Sequence, residues 1–352
     1  MSPLLLIWST SLALAGAALI WMAGLIVGRL LRERAEGSRE RDKTAIQSAF
    51  LDIMSGSGDA IGRLRRVQGR ARLMAETLLE LISLVRGEER DRLISALAAF
   101  NIDHVFRHRL FRGSFAGRIA AAEALAIFPG VGSATALRHA LASERRSELR
   151  VGVMRSLIEL GEPPSLAEVL ADLAGRRASD SLLYLPLIAR LVADDPMTAL
   201  RAFGDPRLAI EPRVILAEAL GGSGDYRALE PLCLATRAPD LELRIACIRA
   251  LGMLGHPGAE TAVLAGLSDK VWMVRSAACE SAGRIGLRAA IPLLAHQLRD
   301  EVWWVRFRAG EALAALGDTG REQLQRVAAS GDDLSRRAAS MVLAERGLAA
   351  AA

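Results

Sequence analysis

The sequence has few aromatic residues and few cysteines. Aromatic side chains make up 4% of the 352 residues, whereas apolar side chains make up 51%. A folded core must therefore be built mainly from aliphatic side chains and alanine, which allow close helix packing. The three cysteines are too few for a disulfide framework. Cys233, Cys247 and Cys279 are predicted to be structural thiols in a reducing compartment.

The sequence also lacks the motifs that usually signal catalysis. It contains no G-x-S-x-G, H-E-x-x-H or Cys-x-x-Cys pattern. The SGSGD stretch at 55–59 lacks the Lys-Ser/Thr ending of a phosphate loop. His104 and His108 have i, i+4 spacing, but no third ligand accompanies them. We therefore expect no catalytic, cofactor-binding or metal-binding residues, and we expect that the protein is not an enzyme.

Charge is absent from residues 1–28. The segment 4–28 is uncharged and long enough to cross a hydrocarbon core of about 30 Å. Basic residues follow it and none precedes it. This pattern predicts an N-terminal transmembrane anchor over 1–28, with the N-terminus outside and the remainder in the cytoplasm. Ala13-Leu14-Ala15 resembles a signal-peptidase site, but the basic start and short apolar core of a signal peptide are missing.

Residues 29–71 are predicted to form a basic juxtamembrane stalk, with a flexible joint at the SGSGD stretch. Six cationic residues lie just after the predicted anchor: Arg29, Arg32, Arg34, Arg39, Arg41 and Lys43. Such a stretch can bind anionic lipid headgroups, or it can simply fix the orientation of the anchor. Small residues four apart, Gly24/Gly28 and Ala13/Ala17, also allow a homodimer through the anchor. Lys43 and Lys270 are the only lysines, a bias that favours a GC-rich bacterial genome. In a bacterium the predicted anchor would lie in the inner membrane.

A period of 31 residues runs through the C-terminal half. It is carried by Arg213, Arg244, Arg275 and Arg306 and by Gly224, Gly255, Gly286 and Gly317. Such a period is typical of stacked helical repeats. Extending it predicts eight second helices that start near Arg118, Arg150, Ser181, Arg213, Arg244, Arg275, Arg306 and Arg336. Ser181 stands where the other seven repeats have arginine, but it keeps the spacing between repeats.

The repeats resemble the HEAT family, in particular the short bacterial repeats found in phycobilisome lyases. The resemblance rests on the Asp-x-x-x-x-Val-Arg-x-x-Ala signatures that begin at Asp269 and Asp300, and on the glycine endings. It implies an all-α, right-handed solenoid of about eight helix hairpins over 114–352. The helices expected over 72–113 would cap the array, because a terminal repeat needs a different outer face.

Two sets of side chains in the repeats are candidates for binding a partner. The repeated arginines can bind a partner, but one arginine per repeat favours a structural bond to a neighbouring Asp or helix end. The aromatic residues can bind a partner as interface hot spots or pack between repeats. The residues predicted to bind a partner are Trp272, Trp303, Trp304, Arg275, Arg306 and Phe307.

The sequence thus predicts a membrane-anchored scaffold or adaptor that binds a protein, itself membrane-associated, through the repeat surface. One alternative is an enzyme of the HEAT-like bilin lyase type, which the resemblance suggests but the absent catalytic motifs oppose. Another is a helical-repeat protein that binds nucleic acid. That function requires a basic stripe, whereas residues 73–352 hold 34 basic and 34 acidic side chains. We therefore expect no nucleic-acid partner.

Overall fold

The computed structural model describes residues 21–22, 29, 39–56, 60–66, 70–82, 84–98, 100–177 and 180–347. Apart from Trp21 and Met22, the predicted anchor lies outside these residues. No helix in the described ranges is long and apolar enough to cross a membrane. This finding contradicts the predicted transmembrane helix and the predicted single-pass location in the inner membrane. The predicted dimer through the anchor lies outside the described residues and is untested.

Every regular element of the described ranges is helical. Residues 39–55 form α1. The next helices are α2 (Ala60–Arg66), α3 (Ala71–Ile82), α4 (Glu88–Ala98), α5 (Ile102–Arg112), α6 (Phe115–Leu125) and α7 (Val131–Ser143). They are followed by α8 (Ser147–Glu159), α9 (Leu166–Ala174), α10 (Ser181–Asp194), α11 (Pro196–Gly204), α12 (Ile210–Gly222), α13 (Leu229–Ala235) and α14 (Leu241–Leu254). The last helices are α15 (Glu260–Leu267), α16 (Trp272–Ile285), α17 (Ile291–Gln297), α18 (Trp303–Ala315), α19 (Gly317–Ser330) and α20 (Asp333–Glu345). The all-α prediction is confirmed for this part of the chain.

The helices fall into two compact units. The N-terminal unit contains the described residues up to Ser143 together with Glu159–Gly161, and the C-terminal unit contains Glu144–Ile158 and the residues from Glu162 onward. In the N-terminal unit, Arg39 and Lys43 of the basic stretch form ion pairs with Glu76 and Glu80 of α3. These two cations therefore help to hold α1 against α3, and lipid binding by the stretch remains a prediction. The four-part division of the chain also remains a prediction.

The second helices of the C-terminal unit pack in chain order. α12 contacts α10 and α14, α16 contacts α14 and α18, and α18 contacts α20. The first helices α13, α15, α17 and α19 each pack on the second helix that follows. The repeat period therefore corresponds to one helix pair, as the sequence predicted.

The repeated arginine is the fourth residue of its helix. Arg213, Arg244, Arg275 and Arg306 all hold this position in α12, α14, α16 and α18. α10 begins at Ser181, as predicted, but Ser181 is therefore the first residue of its helix and not the equivalent of the repeated arginine. The fourth residue is Tyr184, which is fully buried.

Glycine occurs in the repeats for two different reasons. Gly255 and Gly286 end α14 and α16 in the left-handed region, with φ of 69° and 81°. Only a residue without a Cβ adopts that conformation at little cost, so these glycines end the helices as predicted. A second series, Gly221, Gly252 and Gly283, lies inside the second helices and serves close packing.

Each glycine of the second series faces a small residue of the next second helix. A Cβ at Gly221 would lie 2.5 Å from the Cα of Ala250, and a Cβ at Gly252 would lie 2.9 Å from the Cα of Ser281. A Cβ at Gly283 would lie 2.9 Å from the Cα of Ala312. These distances are too short for a real contact, so the backbones of successive second helices approach as closely as they do only because glycine is present.

The repeated arginines hold the connections between helices. Arg275 donates from Nη1 to the carbonyl of Asp269 at 2.9 Å, and Arg306 donates from Nη1 to the carbonyl of Asp300 at 2.7 Å. Arg275 also pairs with the Asp300 carboxylate of the next repeat, with 2.7 Å between Nε and Oδ2. Each arginine thus satisfies carbonyls in the loop before its own helix, and Arg275 also bonds to the next repeat. The structural interpretation of these arginines is confirmed.

At α9 and α10 the same role is filled by a cluster around Asp172. Its carboxylate receives hydrogen bonds from Arg150 Nε at 3.0 Å, Arg176 Nη2 at 2.8 Å and the Tyr184 hydroxyl at 2.7 Å. Burial opposes ionisation of Asp172, but the three donors together lower its pKa below the usual value. Arg150 of α8, Asp172 of α9 and Tyr184 of α10 thus meet Arg176, two residues after the end of α9, in one largely buried network.

The cluster predicts that Tyr184 resists ionisation. Burial first, and then its hydrogen bond to the Asp172 carboxylate, raise the pKa of Tyr184 well above 10.0. The chain has 2 tyrosines, so a Tyr226→Phe variant isolates Tyr184 in an alkaline titration of tyrosinate absorbance. The folded variant should show no rise near the ordinary value of about 10. A full rise there would contradict the buried network.

Candidate functional site

The second helices of the C-terminal unit expose one face. In α16 and α18, the first, fifth, ninth and thirteenth residues are exposed or half-buried, whereas Val274, Ala278 and Ala282 on the opposite side of α16 are buried. Helical geometry places residues four apart on the same face. We call this exposed side of α10, α12, α14, α16 and α18 the open face. Neighbouring helices cover the other sides, so the open face is where the second helices can meet a partner.

Three rings at the start of α18 form an aromatic cluster, defined as Trp303, Trp304 and Phe307. The rings of Trp303 and Phe307 are stacked, with centroids 5.1 Å apart and an interplanar angle of 8°. Trp304 packs edge-on against Trp303 at 4.7 Å. Despite these contacts, Trp303 is 44% exposed and Trp304 is 51% exposed. The cluster is an ordered apolar surface in a chain that has few aromatic residues.

The remaining predicted site residues divide into two groups. Trp272 is the first residue of α16, equivalent to Trp303 in α18, and is 37% exposed. It therefore lies on the same face as the aromatic cluster. Arg275 and Arg306 are bound within the repeats, as described above. The partner-binding prediction consequently depends on the aromatic side chains, and no observation tests it directly.

The C-terminal part of the open face carries alternating charges. Glu280 pairs with Arg284 at 2.7 Å on α16, and Arg308 of α18 lies 3.9 Å from Glu280 and 2.8 Å from Glu311. Arg346 pairs with Glu311 at 3.2 Å. These ion pairs are partly exposed, so each contributes little to stability. The three arginines and two glutamates give this part of the face a small excess of positive charge.

A groove of about 480 Å³ lies further back on the same face. It is lined by side chains of α10, α12, α14 and α16, among them Leu185, Ala189, Glu218, Arg249 and Met253. The sequence did not reveal this groove, because its lining positions hold residues of different types in successive repeats. The ninth helical residue, for example, is Ala189 in α10, Glu218 in α12, Arg249 in α14 and Glu280 in α16.

The buried thiols have the properties of core residues. Cys247 is fully buried, and burial raises its pKa to about 12. Cys279 is also fully buried, and burial raises its pKa further. A nucleophilic cysteine needs an accessible, low-pKa thiolate. Neither residue has the environment of a reactive cysteine.

Comparisons with known proteins agree with the repeat organisation. The sequence profile of HEAT repeats matches residues 229–314 and 260–344. No curated protein sequence matches the chain. The solved structures that resemble it include the complex of CpcE and CpcF of phycocyanin lyase from Nostoc sp. PCC7120. That likeness has 24% identity, covers 51% of this chain and 76% of the other, and has a TM-score of 0.37.

Two further solved structures are similar at lower identity. Human deoxyhypusine hydroxylase in complex with glycerol has 17% identity, covers 71% of this chain and 98% of the other, and has a TM-score of 0.24. Importin beta has 14% identity, covers 87% of this chain and 44% of the other, and has a TM-score of 0.38. At these values no likeness carries a functional argument. The profile match and the helix pairs together identify residues 229–344 as HEAT repeats.

Proposed function

We propose that the protein is a scaffold that binds a partner protein through the open face of its HEAT repeats, with the aromatic cluster as the main contact. HEAT repeats are compatible with this function, because such arrays present extended binding surfaces. The observation that carries the proposal is the exposure of two tryptophans that are held in fixed positions by ring packing.

The physical argument concerns what an exposed, ordered aromatic surface does in a complex. Tryptophan is enriched among the few interface residues that dominate binding energy. Rings that are already packed on one another lose little conformational freedom on binding, so more of the buried apolar area contributes to affinity. Trp272 extends the apolar surface to the preceding repeat. Inter-repeat packing alone does not account for rings that remain about half exposed.

The proposal predicts that replacing both Trp303 and Trp304 by alanine weakens the complex by roughly 30-fold, since hot-spot residues contribute about 2 kcal/mol or more. The measurement is quantitative co-purification of the bound protein with tagged wild-type chain and with the double variant, followed by titration of the purified components.

Leu234 provides the matched control. It is an apolar residue on the first helix α13 and is 68% exposed. Leu234→Ala should leave the affinity unchanged. Equal affinity for wild type and the Trp303/Trp304 double variant would remove the aromatic cluster from the interface. A matched loss of helical content in the double variant would instead indicate a packing role.

A further inference from the structure

Glu218 is an acidic side chain in the groove that forms no ion pair among the described residues, although Arg249 lines the same groove. It is half-buried on α12, and among the described residues it makes no hydrogen bond or ion pair. Burial raises its pKa, and the attraction of Arg249 opposes that effect. A carboxylate in such a position is incompletely solvated, so pairing with a cation would offset part of the cost of its burial.

The surroundings of Glu218 differ from those of the next acidic residue along the face. Glu280 is already paired with Arg284 and lies close to Arg308. Beside Glu218 the groove is lined instead by Leu185, Ala189 and Ala193 of α10. The groove therefore combines an apolar wall on α10 with a carboxylate that forms no ion pair, and its other charged lining residues are Arg249, Glu280 and Arg284.

This combination matches a long cationic side chain. Lysine and arginine have an aliphatic stem that packs on apolar surface and a charged head that reaches a carboxylate. An apolar occupant would cover Glu218 without pairing it, which is unfavourable. An acidic occupant would bring two negative charges together beside an apolar wall.

The spread of the lining residues indicates a polypeptide. They come from four successive second helices, α10 to α16. Packed helices lie about 8–10 Å apart, so these residues spread over several helix widths, while the groove itself has a volume of about 480 Å³. That arrangement suits a peptide segment that places one side chain in the groove and continues along the face, whereas a single small cation would contact only the part around Glu218.

We propose that this groove binds a segment of the partner protein that inserts a lysine or arginine, with Glu218 as its counter-ion and Leu185, Ala189 and Ala193 packing on its stem. The inference rests on the proposed function, because it specifies the chemistry of the partner that the open face recognises. Arg249, which is exposed on the adjacent helix, would face an acidic or polar residue further along the same segment.

The test uses a displayed library of random 12-residue peptides selected on the full chain. We expect the selected peptides to contain lysine or arginine beside small apolar residues. Their binding should shift the methyl resonance of Met253, which lines the groove, and not that of Met197 on α11. Glu218→Gln should weaken binding by about tenfold or more, the size of effect typical of a lost charge-assisted hydrogen bond.

Two variants separate the groove from general effects. Glu260→Gln on the first helix α15 should leave peptide affinity unchanged, whereas Ala189→Leu should block the groove and reduce binding. Selected peptides without a cation, binding that Glu218→Gln leaves unchanged, or the absence of any peptide that shifts Met253 would each overturn the proposal. The Trp303/Trp304 double variant should bind the selected peptide normally, so failure at the groove is distinguishable from failure at the aromatic cluster.

Discussion

Replacing Asp172 by alanine is expected to lower the free energy of unfolding of the C-terminal unit by about 3–5 kcal/mol, the range observed when one partner of a buried ion pair is removed. The variant would leave Arg150, Arg176 and the Tyr184 hydroxyl without their shared acceptor. The side chains of Asp172 and Arg150 are only 10% and 13% exposed, so water cannot fully replace the lost bonds. For a unit of this size the midpoint of thermal unfolding should fall by on the order of 10 °C.

An exposed ion pair on the same part of the chain provides the control. Asp194 pairs with Arg190 at 3.2 Å at the exposed end of α10. Asp194→Ala should change the midpoint very little, because exposed pairs contribute little. Equal effects of the two substitutions would show that the Asp172 network does not stabilise the fold.

Lowering the pH should remove the stability that the Asp172 network contributes. The pKa of Asp172 is lower in the folded state than in the unfolded state. The ionised carboxylate therefore stabilises the fold fully above the pKa of the unfolded state, which is about 3.9, and this stabilisation is lost as the pH falls through the pKa of the folded state. The stability difference between wild type and Asp172→Ala should therefore be largest near neutral pH and narrow below about pH 4. A difference that widens in acid would contradict the assignment.

Gly221→Ala is expected to destabilise the C-terminal unit by about 1–3 kcal/mol, as over-packing of a close contact does. Intrinsic helix propensity alone favours alanine over glycine by about 1 kcal/mol, so the predicted sign is opposite to the propensity effect. The added Cβ would lie 2.5 Å from the Cα and 2.6 Å from the Cβ of Ala250. Backbone atoms of α14 cannot move aside as a flexible side chain can, so α12 and α14 must separate.

The adjacent glycine provides a matched control. A Cβ at Gly222 would meet only the methyl end of Met253, at 3.3 Å. Gly222→Ala should therefore be nearly neutral. Denaturant unfolding of the two single variants measures the difference directly. Stabilisation by Gly221→Ala would contradict the close approach of α12 and α14.

The sequence predicted the repeats well because the same residues recur for the same physical reason. Gly255 and Gly286 end helices with positive φ, and Arg275 and Arg306 bind loop carbonyls in each repeat. Such requirements leave a periodic signal. The start of α10 was predicted correctly near Ser181. The spacing alone did not show that Tyr184, and not Ser181, takes the position of the repeated arginine, because tyrosine is a different chemical group.

The groove could not be predicted from the sequence. It depends on the small side chain of Ala189, which leaves space where the next three second helices carry Glu218, Arg249 and Glu280, and on the absence of an ion pair at Glu218 among the described residues. Neither property produces a pattern of residue types that recurs along the sequence. The aromatic residues were recognisable from the sequence, but their stacking and exposure became evident only in the structure.

Site-specific photo-crosslinking in cells tests the central claim most directly. A photoreactive amino acid would replace Trp303 in one strain and Leu234 in another, since both positions are exposed but lie on different faces. If the open face binds a partner protein, Trp303 should give one discrete adduct that mass spectrometry identifies, and Leu234 should not give it. Absence of that adduct at Trp303, or the same adduct from both positions, would contradict the proposed role of the aromatic cluster.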